Sequence, residues 1–375
     1  MAKALLGIAS LIVVGASTPG TFDLAVRHAR IVHGDGRVTL SATLLIASGR
    51  IARIDESAAA DDAPARRSID AAGCTIVPGL IDAHVHLQPW MLARFLENGV
   101  TAVRDMRSVI DGPGSVRVNA TIADDFTSAR AAVRQHVDGG ADLIVIGPRL
   151  TPPLVAIVVQ EAAARGVPVA ADLGFTTALE AASFGVTSIE SLSGIIEAAK
   201  AASNRLMRPG DDSDGGWVSA EHEWMTTPQE ALDRVAHALV DRGVTLVPTL
   251  VRHEARAQSG DAAKAVLLAQ QRFVKGFVQM GGRVVAGTDA GDPLVAPGRS
   301  LLRELELYVE GGMPPATALE TATADAAALL GIANRTGTIA VGKDADLVLV
   351  NGDPLREISA LRRVVTVIRR GLVVK

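Results

Sequence analysis

Short apolar runs alternate with amphipathic stretches through the middle of the chain. Seven such runs carry polar residues at or near their ends: GLIDAHVHL, GVTAVRDM, ADLIVIG, GVPVAADL, GVTSIES, GVTLVPTL and GRVVAGTDAG. Between them lie Ala- and Leu-rich stretches such as TTALEAASFG and PQEALDRVAHALVDRG, which end in Gly, a common helix terminator. A strand, a helix and a further strand at this spacing predict parallel βα units.

The number of these units predicts a closed α/β barrel. An eighth run, near residues 116–122, is weaker than the other seven. Eight βα units close into a TIM-type (β/α)₈ barrel of about 250 residues, a size that residues 79–333 match. The active site of such a barrel lies at the carboxyl ends of its strands. Five polar residues fall at these ends: His84, His86, Asp172, Ser191 and Asp289.

Both ends of the chain have a β-rich pattern instead. Residues 22–54 contain short apolar runs separated by the turn signals Gly34-Asp35-Gly36 and Ser48-Gly49. The C-terminus repeats this style in TGTIAVGKDADLVLV and VVTVIRRGLVV. We therefore predict a small β-sandwich domain made of residues 17–78 and 334–375, with the barrel inserted between its two parts.

The N-terminal residues 1–16 form a separate segment. Met1-Ala2-Lys3 precedes the uncharged run ALLGIASLIVVGA, which is too short to span a bilayer. Val14 and Ala16 are compatible with signal-peptide cleavage, so residues 1–16 are predicted to be a secretory signal peptide. The chain would then be periplasmic or secreted. The alternative is an N-terminal helix or strand of a cytoplasmic protein.

Composition excludes several kinds of partner. The 375 residues are 48% hydrophobic and 21% charged, with a formal net charge of −4 and no run of basic residues. Nucleic acid and anionic membranes are therefore not expected partners. Cys74 is the only cysteine, so neither an internal disulfide nor a cysteine metal cluster can form. We expect a small-molecule substrate and no transmembrane span; the oligomeric state, including a homo-oligomer, stays open.

The segment VPGLIDAHVHL places His84 and His86 two residues apart at the end of an apolar run. In a strand, such residues point to the same side, so the two imidazoles should converge. Asp289, in VVAGTDAG, supplies a carboxylate at another strand end. Two imidazoles and a carboxylate can hold Zn²⁺ or Fe²⁺ with positions left open, and the metal would lower the pKa of bound water.

Further candidates surround this set. Residues 208–227 break the βα rhythm and read as a long loop over the barrel mouth or as an ordinary surface insertion. His222 and Trp224 of this segment, together with Ser191, are predicted to bind substrate. His253 follows VPTLVR and is a candidate catalytic residue beside Asp289; a surface histidine is the alternative. Arg104 and Asp105 are expected to make structural ion pairs.

These motifs resemble the amidohydrolase superfamily, in particular its imidazolonepropionase-like and prolidase-like branch. The matching stretches are ARIVHGDG, IDAAGCTIVPGLIDAHVHL, GVTAVRDM, VPTL, GTDAG, ALETATADAAALLGI and TGTIAVGKDADLVLVNGDPL. They cover nearly the whole chain after residue 21. The resemblance implies a (β/α)₈ barrel with a composite β-sandwich and one or two divalent metals that activate water.

The resemblance is incomplete where two-metal relatives bind their ions. Val145 stands at the position of the lysine whose carbamate bridges the two metals in such relatives. Asp172 and Ser191 stand where strands five and six of those relatives carry metal histidines. What remains implies at most one ion, held by His84, His86, Asp172 and Asp289.

Three functions stay open from the sequence. The preferred one is hydrolysis of an amide, cyclic amide or ester bond through one divalent metal, Zn²⁺ first and Fe²⁺ or Mn²⁺ next, with Asp289 as ligand or proton shuttle. In the second, no metal is bound, and the histidines and Asp289 act directly as acid and base in a lyase, isomerase or cyclisation reaction. The third is a binding protein without catalysis.

Overall fold

A computed structural model of the protein describes residues 21–57, 62–111, 120–200, 223–256 and 260–375. The predicted signal peptide and His222 lie outside these residues, so cleavage and export of the chain stay predictions. In the described part of the chain, no helix is long and apolar enough to cross a membrane.

The strands, in chain order, are β1 (Leu24–Val32), β2 (Val38–Ala47), β3 (Arg50–Asp55), β4 (Ser68–Asp70), β5 (Cys74–Pro78), β6 (Leu80–Val85), β7 (Val100–Asp105), β8 (Val109–Asp111), β9 (Thr121–Ile122), β10 (Ile144–Ile146), β11 (Val169–Ala171), β12 (Ser188–Glu190), β13 (Thr245–Val247), β14 (Leu347–Asn351), β15 (Val364–Arg369) and β16 (Leu372–Val373).

The helices are α1 (Met91–Glu97), α2 (Phe126–Asp138), α3 (Pro152–Ala163), α4 (Ala178–Phe184), α5 (Ile195–Ala199), α6 (Gln229–Asp241), α7 (Leu250–Arg256), α8 (Asp261–Gln279), α9 (Arg299–Glu310), α10 (Pro315–Thr321) and α11 (Ala324–Leu329). A 3₁₀ helix spans Ile358–Arg362.

Strands from both ends of the chain form one eight-stranded sheet. Its order is β16-β15-β14-β5-β1-β2-β3, with β4 beside β1. The N- and C-terminal parts join where β5 pairs antiparallel with β14, with Val77 opposite Val348. The sheet curls toward closure, since the Gly49 carbonyl in the β2–β3 turn accepts the N–H of Ala345, just before β14, at 2.9 Å. This composite sheet has its own apolar interior.

Side chains alternate along β14 between two cores. Leu347 and Leu349 lie in the interior of the composite sheet. Val348 and Val350 belong to the core of the barrel instead. Because successive residues of a strand point to opposite faces, a single strand contributes to both hydrophobic cores. β14 is therefore a wall shared by the sheet and the barrel.

Parallel pairing runs around most of the barrel. The order β8-β10-β11-β12-β13 is continuous, and β6 pairs with β7. Residues 283–290 lie between β13 and β6: Leu246 N–H donates to the Arg283 carbonyl at 3.0 Å, and Ala83 N–H donates to the Ala286 carbonyl at 2.9 Å. In the described residues, no ladder joins β7 to β8. The α/β-barrel fold class is confirmed, and closure at this one step is not seen.

The third barrel strand differs from its predicted place at residues 116–122. β8 supplies it earlier in the chain, with Val109 opposite Val145 of β10. β9 adds Thr121 beside Ile110 on the other edge of β8. Residues 112–119 lie outside the described part of the chain. β8 has only two apolar residues before its Asp, which is too short a run for a hydrophobic pattern to mark as a strand.

Helix starts in the barrel follow recognisable capping signals. The carboxylate of Asp125 accepts the N–H of Ser128 at 2.7 Å at the start of α2. The hydroxyl of Thr177 accepts the N–H of Glu180 at 3.2 Å at the start of α4. Such side chains satisfy amide groups that have no partner in the first helical turn.

Two leucines of the composite sheet provide a matched test of its interior. Leu349 is 1% exposed and Leu40 is 80% exposed. We predict that Leu349→Ala lowers the free energy of unfolding by about 2–5 kcal/mol, because it leaves a cavity among packed side chains. Leu40→Ala should change it by less than about 0.5 kcal/mol. Chemical denaturation measures both, and equal effects would contradict the assignment of Leu349 to the interior.

Candidate metal site

Three of the predicted ligands meet at the carboxyl ends of the barrel strands. His84 lies on β6, His86 directly follows this strand, and Asp289 lies in the adjoining residues 283–290. Asp289 Oδ1 lies 3.5 Å from His84 Nε2 and 3.1 Å from His86 Nε2. One ligand atom of each residue lies within 4.8 Å of the others. The arrangement therefore offers two imidazole nitrogens and one carboxylate oxygen to a common point.

Backbone hydrogen bonds between β6 and residues 283–290 set this geometry. Asp289 N–H donates to the His84 carbonyl at 2.8 Å, and His86 N–H donates to the Ala290 carbonyl at 2.7 Å. Asp289 has a left-handed backbone with φ of 63°. Non-glycine residues seldom adopt this conformation, and those that do are often found at functional sites.

Glycines on either side of Asp289 let the two segments come this close. A Cβ on Gly287 would lie 2.8 Å from the His84 Cβ, and one on Gly291 would lie 2.6 Å from the His86 Cβ. Both distances are shorter than normal carbon contacts, so any larger residue would push the two segments apart. Both glycines of AGTDAG are thus required by the close approach of the two segments.

Glu190, on β12, orients the imidazole of His84. Glu190 is fully buried, and its Oε2 accepts the Nδ1–H of His84 at 2.8 Å. With the proton on Nδ1, Nε2 is the nitrogen that can bind a metal. Without a metal, burial lowers the pKa of His84, but the hydrogen bonds to Asp289 and Glu190 outweigh it and raise this pKa to about 9, so an ion that binds Nε2 would displace a proton.

Arg104, on β7, balances the buried charge of Glu190. Its Nη2 lies 2.7 Å from Glu190 Oε1, and the Ser188 hydroxyl donates to the same oxygen at 2.6 Å. Burial raises the pKa of Glu190, but the charge of Arg104 and the hydrogen bond from His84 outweigh burial and lower it. Glu190 is therefore an ionised carboxylate inside the barrel.

The structural role predicted for Arg104 and Asp105 is divided between two separate pairs. Arg104 contacts Glu190, whereas Asp105 pairs with Arg107 and accepts the N–H of Leu87 at 3.3 Å. Adjacent residues of a strand point to opposite sides, so Arg104 and Asp105 face different partners.

Arg252, on α7, holds the second oxygen of Asp289. Its Nε lies 2.6 Å from Asp289 Oδ2. Burial raises the pKa of Asp289, but the hydrogen bonds to His84 and His86 and the charge of Arg252 hold it well below its usual range. Asp289 therefore presents one oxygen to the imidazoles and the other to a guanidinium.

The first turn of α7 is anchored by a buried carboxyl group. Glu304, on α9, accepts the N–H of Leu250 at 2.9 Å and the N–H of Val251 at 2.6 Å. These amides lack partners within the helix, so Glu304 acts as a cap supplied by another element. Burial raises the pKa of Glu304 to about 8, against the lowering effect of the two amide hydrogen bonds.

Asp172 does not join the group of His84, His86 and Asp289. It follows β11, and its N–H donates to the Ile146 carbonyl at 2.9 Å. In the order of the barrel strands, β7, β8 and β10 come between β6 and β11. Of the four predicted ligands, the described residues bring His84, His86 and Asp289 together, and a role of Asp172 at the metal stays a prediction.

Of the two other replaced residues, one packs in an apolar cluster and the other forms a hydrogen bond. Val145 is 2% exposed and packs with Met106 and Val109 in a small apolar cluster. The hydroxyl of Ser191 accepts from the Thr249 hydroxyl at 3.0 Å. Neither position supplies a strong ligand, and the predicted contact of Ser191 with substrate stays a prediction.

Two of the remaining candidates, His253 and Trp224, lie in the described part of the chain. His253, on α7, donates Nε2–H to the Ser191 carbonyl at 3.1 Å. Trp224 is only 5% exposed and packs edge-on against Phe273, with ring centroids 5.5 Å apart. Its ring belongs to the hydrophobic core, which leaves little surface for the predicted substrate contact. His222 lies outside the described residues.

Sequence reasoning missed Glu190 and Arg252 as parts of the site. Glu190 left a signal, since a charged residue within the buried strand SIE requires a partner inside the barrel. No sequence signal identified Arg252, because its contact with Asp289 depends on how α7 is placed after β13.

The donor set fits one divalent ion. His84 Nδ1 is used by Glu190, and Asp289 Oδ2 is used by Arg252. His84 Nε2, His86 Nε2 and Asp289 Oδ1 are then the three atoms that would hold an ion, which would keep further positions for water and substrate. A bridged pair of ions does not fit, because Val145 offers no bridging group.

Comparison with known proteins places the chain in one family. The family model described as "Amidohydrolase family" matches residues 75–374. An enamidase from Eubacterium barkeri is 28% identical over 356 residues, which cover 86% of this chain and 85% of the enamidase. An adenine deaminase from Nitratidesulfovibrio vulgaris is 26% identical over 392 residues, covering 94% of this chain and 59% of the deaminase.

A solved structure supports the fold over nearly the full chain. A Xaa-Pro dipeptidase with bound methionine superposes with a TM-score of 0.71 at 22% identity, covering 94% of this chain and 99% of the dipeptidase.

A double-variant cycle tests the charge balance at Glu190. We predict that Arg104→Met lowers the free energy of unfolding by about 3–5 kcal/mol, because it leaves a buried carboxylate without its guanidinium. Arg104→Met/Glu190→Gln removes both charges and should be more stable than Arg104→Met by at least about 1 kcal/mol. Denaturant titration of the single and double variants measures the coupling free energy between Arg104 and Glu190. Strictly additive losses in the free energy of unfolding would argue against the ion pair.

The pH dependence of stability tests Glu304. Its pKa is about 8 in the folded protein, whereas an unfolded glutamate titrates near its ordinary value. The folded protein thus binds this proton more tightly, so its stabilising effect is full at low pH and is lost as pH rises through about 8. Between the ordinary glutamate pKa of 4.5 and about pH 8, the free energy of unfolding falls by up to about 1.4 kcal/mol per pH unit.

Glu304→Gln carries no titrating proton at this position. We therefore predict that its free energy of unfolding, relative to the unsubstituted protein, rises between about pH 5 and pH 8. Urea denaturation at a series of pH values measures this difference, and a flat difference would show that Glu304 is ionised throughout.

Proposed function

The chain belongs to the amidohydrolase family, and we propose that it hydrolyses an amide, cyclic amide or ester bond with one divalent metal ion. The observation that carries the proposal is the convergence of His84 Nε2, His86 Nε2 and Asp289 Oδ1. Zn²⁺ is the first choice, because two imidazoles and a carboxylate oxygen are common at catalytic zinc sites; Fe²⁺ and Mn²⁺ are alternatives. When bound, the ion would lower the pKa of a water molecule and polarise the substrate carbonyl.

The protein's own groups prepare this site. Glu190 keeps the proton of His84 on Nδ1, so that Nε2 faces the ligand point. The hydrogen bonds from His84 and His86, together with the charge of Arg252, keep Asp289 ionised, and Arg252 contacts its Oδ2 so that Oδ1 faces the imidazoles. His86 is the most accessible of the three ligands, with its side chain 38% exposed, and lies where substrate would enter. His253, next to Arg252 on α7, stays a proposed second catalytic residue.

The class of bond follows from the relatives. The enamidase, the adenine deaminase and the Xaa-Pro dipeptidase have names that refer to carbon–nitrogen bonds. We therefore place amide and cyclic amide substrates before esters in the proposal.

Metal-independent chemistry is the second candidate. His84, His86 and Arg252 all contact Asp289 directly, so they form a connected set of proton donors and acceptors. In this alternative, the set would act as acid and base in a lyase, isomerase or cyclisation reaction.

Metal content and chelation distinguish the two candidates. We predict one equivalent of metal per chain by elemental analysis, and hydrolysis of some member of a panel of N-acyl amino acids, cyclic amides and p-nitrophenyl esters that chelator abolishes and added Zn²⁺ restores. His84→Ala should lose both the metal and the activity, because it removes a ligand nitrogen.

His28→Ala is the matched control, since this histidine is 48% exposed and pairs with Asp70 away from the barrel strands. It should keep both metal and activity. Two equivalents of metal would overturn the single-ion site. Turnover that survives chelation in a metal-free protein would favour the metal-independent alternative.

A further inference from the structure

We propose that Arg252 is a positioning residue that restricts Asp289 to one ligand oxygen and thereby restricts the site to a single, moderately bound metal ion. The proposal rests on the metal-dependent function proposed above. It concerns what the protein itself places around the third ligand.

The two oxygens of Asp289 have different partners. Oδ1 faces the imidazole nitrogens of His84 and His86 at 3.5 Å and 3.1 Å. Oδ2 lies 2.6 Å from Arg252 Nε. A carboxylate can bind one ion through both oxygens or bridge two ions. With Oδ2 engaged by a guanidinium, Asp289 has a single oxygen left for metal.

The charge of Arg252 also opposes metal at this carboxylate. A guanidinium remains protonated throughout the accessible pH range, so its charge is permanent. The side chain is 22% exposed, and its interaction with a nearby cation is only partly screened by water. An ion at Oδ1 is therefore repelled by Arg252, and a second ion at Oδ2 would have to displace it.

Arg252 is held in place by elements on both sides. Glu304 fixes the first turn of α7 by accepting two backbone amides, at Leu250 and Val251. Asp292, three residues after Asp289, lies 3.9 Å from Arg252 Nε and 2.5 Å from an Arg256 nitrogen. The helix that carries Arg252 is thus tied both to α9 and to the segment that carries Asp289.

Two of the positions that would hold a second ion, Val145 and Ser191, carry no charge. Val145 is buried in an apolar cluster, and the Ser191 hydroxyl is bonded to Thr249. The only cation that the described residues place directly against Oδ2 is Arg252. The guanidinium of Arg252 therefore occupies the place beside Oδ2 where a second metal ion would otherwise bind.

The experiment is a Co²⁺ titration of chelator-treated protein, followed by visible absorption and calorimetry. Absorption intensity of Co²⁺ falls as its coordination number rises, so the spectrum reports whether Oδ2 becomes a ligand. The protein should bind one equivalent. Arg252→Met removes the charge and frees Oδ2, so it should bind Co²⁺ at least about tenfold more tightly, with a weaker absorption band.

Two variants serve as controls in this titration. Arg252→Lys keeps the charge and should stay within about threefold of the unsubstituted protein in affinity. Arg272→Gln removes an exposed charge on α8 that takes part in none of the contacts described above, and it should leave the affinity and spectrum unchanged. If Arg252→Met does not fold by circular dichroism, Arg252→Gln takes its place with the same expectation.

The outcomes separate this inference from the proposed function. Equal or weaker Co²⁺ binding by the uncharged variant, with an unchanged spectrum, would show that Arg252 has only a structural role. Two equivalents in the unsubstituted protein would overturn the single-ion restriction while leaving metal dependence intact. A folded protein that binds no Co²⁺ would overturn both proposals.

Discussion

Two carboxylates inside the barrel are each held between an arginine and an imidazole, and the site depends on this balance of charge. Glu190 lies between Arg104 and His84, and Asp289 lies between Arg252 and the two histidines. A buried carboxylate without such partners would be protonated or would destabilise the fold. Because both are compensated, they stay ionised and direct the imidazole nitrogens toward one point. The strands of the barrel bring these groups together, but the ion pairs determine how each one is oriented.

The parts of the molecule that the sequence predicted are those that depend on local order. The βα rhythm indicated the barrel, and the spacing of His84 and His86 at a strand end indicated the ligand pair. Glu190 and Arg104 lie on strands far apart in the chain, and only the packing of the barrel strands around one interior brings them into contact. Asp172 shows the converse, since it follows a barrel strand as predicted but is not among the three residues that come together. Strand-end position is readable from a pattern, whereas the order of strands around the barrel decides which ends meet.

Two of the positions that depart from the two-metal pattern are engaged in other contacts. Val145 completes an apolar cluster, Ser191 is bonded to Thr249 at the start of α7, and α7 presents Arg252 to Asp289. The Ser191–Thr249 contact and α7 thus link one replaced position to the cation that contacts Asp289. Arg104 and Arg252, which balance the charges of Glu190 and Asp289, belong to no ligand motif.

The composite sheet has a consequence for the order in which this protein can fold. β5 precedes the barrel and pairs with β14, which follows it, so Val77 meets Val348 only after the whole barrel sequence has been made. At about 5–20 residues per second, a ribosome separates the synthesis of these two strands by tens of seconds. Throughout that interval, the edge of β5 has no partner strand, and such an edge can pair with other chains. The sheet can therefore be completed only after the barrel sequence has been made, and because β14 also packs into the barrel core, this last pairing completes the sheet and the barrel together.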